Sequence, residues 1–215
     1  GLTAANSDTI SISPAAGDRL VFVAQPSSSA YGSALSPQPA LKTRDPFGND
    51  STVGLGTSKM VALAVSAGTG SLQGTSSMDI GTAAGNGLVT FSGLTVNAAG
   101  TGKQLTASSS GLTSAVSSSF DVSKATVTGS ITANDKVYDG TTAASVTLSD
   151  NRLAGDSLST SYGSATFASA AVGPAKSVTV SGISLTGADA GNYSANTTAS
   201  TTANITAATV TGLVS

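Results

Sequence analysis

Lys124-Ala-Thr-Val-Thr-Gly129 decides how this chain is organised, because its last five residues return as Ala208-Thr-Val-Thr-Gly212. The offset is 83 residues, and self-similarity at a fixed, domain-sized interval is the signature of a tandem array. Residues 123–206 therefore read as one module, and 207–215 as the opening strand of the next. Working backward, 17–122 is a second piece of module size. Residues 1–16 are a lead-in or the end of a preceding repeat.

Composition fits that division. A chain of 215 residues is the natural length of two domains of about 100 residues each. Hydrophobic residues make up 39%, but aromatic residues only 4% and charged residues 9%, against about 25% charged in an ordinary domain. All eleven acids are aspartates, so glutamate, a strong polar helix former, is missing altogether. Thr, Val and Ser in alternation, with 25 glycines, favour short strands and turns. Cysteine is absent, so neither disulfides nor thiol chemistry can operate, which fits a bacterial protein that folds after export. A net charge of −2 argues against nucleic-acid and anionic-membrane surfaces. No run approaches the ~20 apolar residues of a membrane span.

Strands follow one another at short intervals. Thr9–Ser13 alternates before Pro14-Ala-Ala-Gly17. Arg19–Gln25, Gln38–Arg44, Lys59–Ser66, Leu88–Val96, Lys103–Ala107 and Ser114–Val122 form the first module. Asn86-Gly87 is a type I′ turn signal. Six or seven such strands in about 100 residues is the count of an immunoglobulin-like sandwich. Thr126–Thr132, Val146–Leu148, Ser164–Phe167 and Lys176–Leu185 form the second module. The expected fold class is all-β, two tandem immunoglobulin-like β-sandwich domains.

The stretches "RLVFVAQPSSSAYGSALSPQPALKTRDPFGN", "SAGTGSLQGT" and "GLVTFSGLTVNAAGTGKQLTASSSGLTSAVSSSFDV" carry the first resemblance. Residues 17–122 resemble the bacterial Ig-like repeats of large adhesins and invasin-type surface proteins. "KVYDGTTAA" with "SGISLTGADAGNY" is similar to the YDG domain of bacterial surface and filamentous-haemagglutinin-like proteins, over 123–206. The eponymous residues are Tyr138, Asp139 and Gly140. These resemblances imply an extracellular, cell-surface setting and a structural rather than a chemical part.

With no His, Cys or Glu, the Ser-His-Asp and Cys-His triads and histidine metal sites are excluded, and no enzyme activity is expected. Calcium is the metal whose oxygen ligands the chain could supply, from Asp45, Asn49 and Asp50 or from Asp150, Asn151 and Asp156. None fits an EF-hand loop, and the plainer reading makes them turn residues; no cofactor is expected otherwise. A lysine-to-amide covalent brace would draw on Lys136 or Lys176, Asn192 and Asp139, and it requires a desolvated, neutral lysine. The plainer reading puts both lysines on strand faces. Asp189-Ala-Gly191-Asn192-Tyr193 has the spacing of a tyrosine corner, in which the phenol returns to upstream backbone. Sugar recognition needs exposed aromatics; there is no Trp, and Tyr31 and Tyr162 are the tyrosines expected at the surface, with Tyr138 beside its hairpin.

The function expected is that of a non-catalytic spacer, a stalk segment of a large repetitive surface adhesin. Its partners would be neighbouring repeats of the same chain, and the fragment itself a monomer. Two alternatives stay open: an adhesive module binding a host-surface glycan or protein through end loops, and an accessory domain of an extracellular enzyme.

Overall fold

The computed structural model describes residues 11–212, which are nearly all β; the one helical element is a single 3-10 turn at Ala190–Asn192. The chain divides into two compact units, Gly1–Ser123 and Lys124–Ser215. Among the described residues no helix is long and apolar enough to cross a membrane.

Unit 1 contains β1 Arg19–Ala24, β2 Ser29–Ala30, β3 Ala40–Arg44, β4 Met60–Ala67, β5 Leu72–Gln73, β6 Ser77–Asp79, β7 Leu88–Thr90, β8 Thr95–Val96, β9 Gly100–Ser109, β10 Leu112–Val116 and β11 Phe120–Ser123. One group runs β1–β3–β7, all antiparallel. The other is built on β9, which takes β4, β10 and β11 antiparallel; β6 lies against β4. Parallel pairings bind the early strands to the late ones: β1 to β10, and β2 to β11. Alternation places Leu20 and Phe22 of β1, Val61 and Leu63 of β4, and Leu105 and Ala107 of β9 inward. With Leu41, Phe91 and Phe120 they form one contiguous core.

Unit 2 contains β12 Ala125–Val127, β13 Ser130–Ala133, β14 Lys136–Val137, β15 Val146–Ser149, β16 Ser159–Ser161, β17 Ser164–Phe167, β18 Gly173–Ser181, β19 Ser184–Thr186, β20 Tyr193–Ala195 and β21 Thr198–Thr206. Its main sheet has the order β14-β21-β18-β17, with β14 parallel to β21. Three two-stranded pieces accompany it: β12–β20 parallel, and β13–β15 and β16–β19 antiparallel. Its apolar interior includes a group of Phe167, Val178, Ala203 and Ile205 and a second of Ala165, Val180 and Ile183, and Val127, Leu158 and Tyr193 are buried as well.

Several expected strands are interrupted. Leu88–Val96 becomes β7 and β8, which pair with different partners, because the chain turns at Gly93 (φ 65°) to bury Phe91 and Leu94. Lys176–Leu185 breaks at Gly182 (φ 70°) and Thr126–Thr132 at Thr128-Gly129. Asn86 and Gly87 (φ 46° and 80°) adopt the left-handed turn expected, but β7 pairs with β3 rather than closing a hairpin with β6. Thr9 and Ile10 lie outside the described residues, and Ser11–Ser13 carry no strand; neither do the described residues 207–212, with 213–215 outside.

Candidate functional site

The densest polar construction in unit 2 is made by the YDG tripeptide and the lysine before it. β14 is held beside β21, and the Tyr138 amide donates to the Thr206 carbonyl at 2.8 Å. Gly140 then takes φ 78°, a left-handed conformation that costs a side-chain-bearing residue strain. This turn brings the chain back over Lys136. Its ammonium donates to Asp139 Oδ1 (2.8 Å), the Thr141 carbonyl (2.8 Å), the Ala143 carbonyl (3.0 Å) and Thr141 Oγ1 (3.1 Å). It also sits 5.5 Å above the Phe167 ring. Asp139 Oδ1 accepts the Thr141 amide and hydroxyl as well, both at 2.9 Å. The Lys136 ammonium, helped by those two donors, lowers the Asp139 carboxyl to about 2. The tripeptide is thus a clasp: Asp139 bonds the cation, Gly140 turns the chain, and Tyr138 supplies an amide. The Tyr138 ring is 46% exposed rather than packed beside its hairpin.

That arrangement runs against the covalent brace. Attack on a side-chain carbonyl needs the amine's lone pair, whereas the Lys136 amine is engaged with four acceptor oxygens, one of them a carboxylate. Lys176 donates to Ser169 Oγ at 2.7 Å, and Asn192 closes the 3-10 turn ahead of β20, its amide on the Asp189 carbonyl (3.0 Å). The lysine that burial does desolvate is Lys103, fully enclosed at an inward position of β9. Its amine donates to the Thr69 carbonyl and, among the described residues, it has no ion pair; burial lowers its pKa. Its stem lies against Gly68, where an added Cβ would stand 2.9 Å from Lys103 Cγ. The period-2 alignment of Lys103 with Leu105 and Ala107 was the signal in the sequence that marked it.

Tyr193 is buried, and its hydroxyl accepts the Leu153 amide at 3.0 Å and donates to Asp156 Oδ2. Burial first, then Asp156, raises its pKa, so the phenol stays protonated. The upstream backbone it meets is thus 40 residues away rather than in its own corner. Asp189 accepts the Ser157 amide at 2.8 Å. A Cβ added at Gly191 would meet nothing within 4 Å; the glycine this corner requires is Gly187 (φ 116°), where a Cβ would lie 2.4 Å from the Ser157 carbonyl oxygen.

The calcium candidates are occupied by protein donors. Asp45, fully buried, accepts from the amides of Ala15 (3.0 Å), Phe47 (3.0 Å) and Asn49 (2.8 Å) and from Asn49 Nδ2 (3.0 Å). Burial alone would raise its pKa; those bonds, Asn49's foremost, lower it instead. Asp50 is paired with Lys42 and Arg44, and Asp150 with Arg152 through two bonds of 2.7 and 2.5 Å. Asn151 Oδ1 accepts the Thr128 amide at 2.9 Å. These residues lock turns, and among the described residues no group of three or more acids converges as a metal site.

The tyrosines differ from expectation in part: Tyr31 packs against the core of unit 1, whereas Tyr162 is exposed. Tyr162 edges a groove of about 440 Å³ with Val146, Thr147, Leu148, Thr160 and Ser161, between the unpaired edges of β15 and β16.

Residues 122–203 match the model of the YDG domain family, and a YDG domain is found there. No curated protein matches the chain.

Proposed function

We propose that this chain is a spacer: a non-catalytic segment of a large repetitive bacterial surface adhesin, outside the cell, that holds a binding element carried elsewhere in the parent protein. The observation that carries this reading is the use of the polar side chains. The clasp at Lys136, the Tyr193–Asp156 bond, the Arg152–Asp150 pair and the buried Asp45 all satisfy their own fold. A catalytic or ligand site instead presents unsatisfied groups to a pocket. The YDG match and the 83-residue recurrence support a repetitive parent.

We read both units as immunoglobulin-like sandwiches. In unit 1 the β1–β3–β7 and β4–β9–β11 groups, joined through β10 into one sheet of nine strands that encloses a single core, with an early strand parallel to the last one, support this. The chain is monomeric in this reading, with no cofactor, and its partners are adjoining repeats. The adhesive alternative has one specific feature in its favour, the groove edged by Tyr162.

Binding measurements decide between the two. Immobilised on a glycan array and on host extracellular proteins, the spacer gives no signal above background. Saturable binding that Tyr162→Ala removes would establish the adhesive module instead. An enzyme-accessory role requires a catalytic domain in the same reading frame.

A further inference from the structure

The pentapeptide that occurs twice is seated once. At Ala125–Val127 it runs parallel to β20, with Ala125 opposite Tyr193, Thr126 opposite Ser194 and Val127 opposite Ala195. The next two amides are taken by side chains: Thr128 donates to Asn151 Oδ1 at 2.9 Å and Gly129 to Asn196 Oδ1 at 2.8 Å. Val127 is 1% exposed. The seat is therefore one strand edge plus two carboxamides. Among the described residues the second pentapeptide, Ala208–Gly212, has no strand partner, and its Val210 is 89% exposed.

The junctions match as well. β11 ends at Ser123 and Lys124 alone precedes Ala125; β21 ends at Thr206 and Ala207 alone precedes Ala208. The interval between the two strand ends equals the 83-residue interval between the pentapeptides. A third repeated feature lies beyond the pentapeptide, where Val214 stands in the sequence position of the half-buried Ile131. The edge of β20 in this unit is already filled by β12, so the free copy has no seat here.

We propose that Ala208–Gly212 is a docking strand for a further unit of the YDG kind. It runs parallel to that unit's counterpart of Tyr193–Ala195, places Val210 where Val127 sits, and gives its last two amides to the counterparts of Asn151 and Asn196. The partner is thus a β-strand edge flanked by two asparagines, not a ligand or a membrane. This assignment rests on reading the chain as part of an array.

The test extends the full chain by placing a second copy of residues 130–206 directly after Gly212, so that Ala208–Gly212 is the only opening strand the added unit has. Hydrogen exchange should show the added unit protected and the 208–212 amides slowed at least a hundredfold relative to the unextended chain. Val210→Asp should abolish protection of the added unit while leaving residues 11–206 unchanged, and should have no effect in the unextended chain. A parallel extension that carries its own Lys124–Gly129 copy keeps the added unit folded when Val210 is replaced. The proposal is overturned if the added unit folds only in that parallel extension, folds in neither, or folds while 208–212 still exchange freely. Binding of the chain to a host ligand would remove the spacer reading and leave this strand assignment intact.

Discussion

Unit 1 and unit 2 reach a closed β fold by different means. In unit 1 fifteen buried residues form one cluster, centred on β9 and reinforced by Phe22, Phe91 and Phe120. Among the described residues of unit 2, ten hydrophobic residues are buried, and seven of them form clusters of four and three. The smaller unit makes up the difference with polar fastenings that span long stretches of chain. Tyr193 reaches Leu153 and Asp156, Asp135 accepts the amide and carboxamide of Asn204, and Lys136 binds three residues of the following turn. Burial per residue rises with the size of a core, so a small unit gains more from each satisfied polar group. The contrast teaches that the two units should fail differently.

The largest effect expected is from truncating the unit 1 core. Leu105→Ala should cost unit 1 about 3–4 kcal/mol, through lost burial plus the cavity left in a single cluster. Val178→Ala in unit 2 should cost about 2 kcal/mol, since it removes less apolar volume from a smaller cluster. Chemical denaturation with the two units followed separately would test this; equal losses would break the contrast.

Next comes the clasp. Lys136→Met should lower the melting temperature of unit 2 by leaving Asp139 and two carbonyls without their cation, and should not affect unit 1. The pH dependence sharpens the point. Asp139 is lowered to about 2 from an ordinary value near 3.8, so its contribution is fully present above pH 4 and disappears between pH 4 and 2. Thermal melts across that range should show a loss in unit 2 that is shallower in Lys136→Met.

Lys103 works in the opposite sense. A lysine whose folded pKa is lowered binds fewer protons folded than unfolded, so unit 1 should gain stability as pH rises toward about 10.4, the unfolded value. Lys103→Met, which keeps the length and drops the charge, should stabilise unit 1 by ~1 kcal/mol at neutral pH and flatten that alkaline slope. Destabilisation instead would mean that the Thr69 bond outweighs desolvation. Smallest is Tyr193→Phe, about 1 kcal/mol in unit 2, read as a fall in its melting temperature.

The strands were legible where alternation was long and glycine-free: β1, β3, β4 and β17 lie within a residue or two of their expected bounds. Period-2 patterning does not reveal where a strand changes partner, which is why the breaks at Gly93 and Gly182 were missed. The polar residues were visible as types but not as bonds. Asp45 and Asn151 have calcium-like chemistry on paper, and the fold turns both onto backbone amides. Asp139 was noticed through its tripeptide, yet its partner role became clear only once Gly140 folded the chain back over Lys136.

The parallel pairing of β14 with β21, and of β2 with β11, has a mechanical consequence. Each joins an early strand to the last strand of its unit over two residue pairs, side by side and in the same direction. Tension applied between the ends of a unit would load these bonds along the strands, shearing them together instead of unzipping them singly.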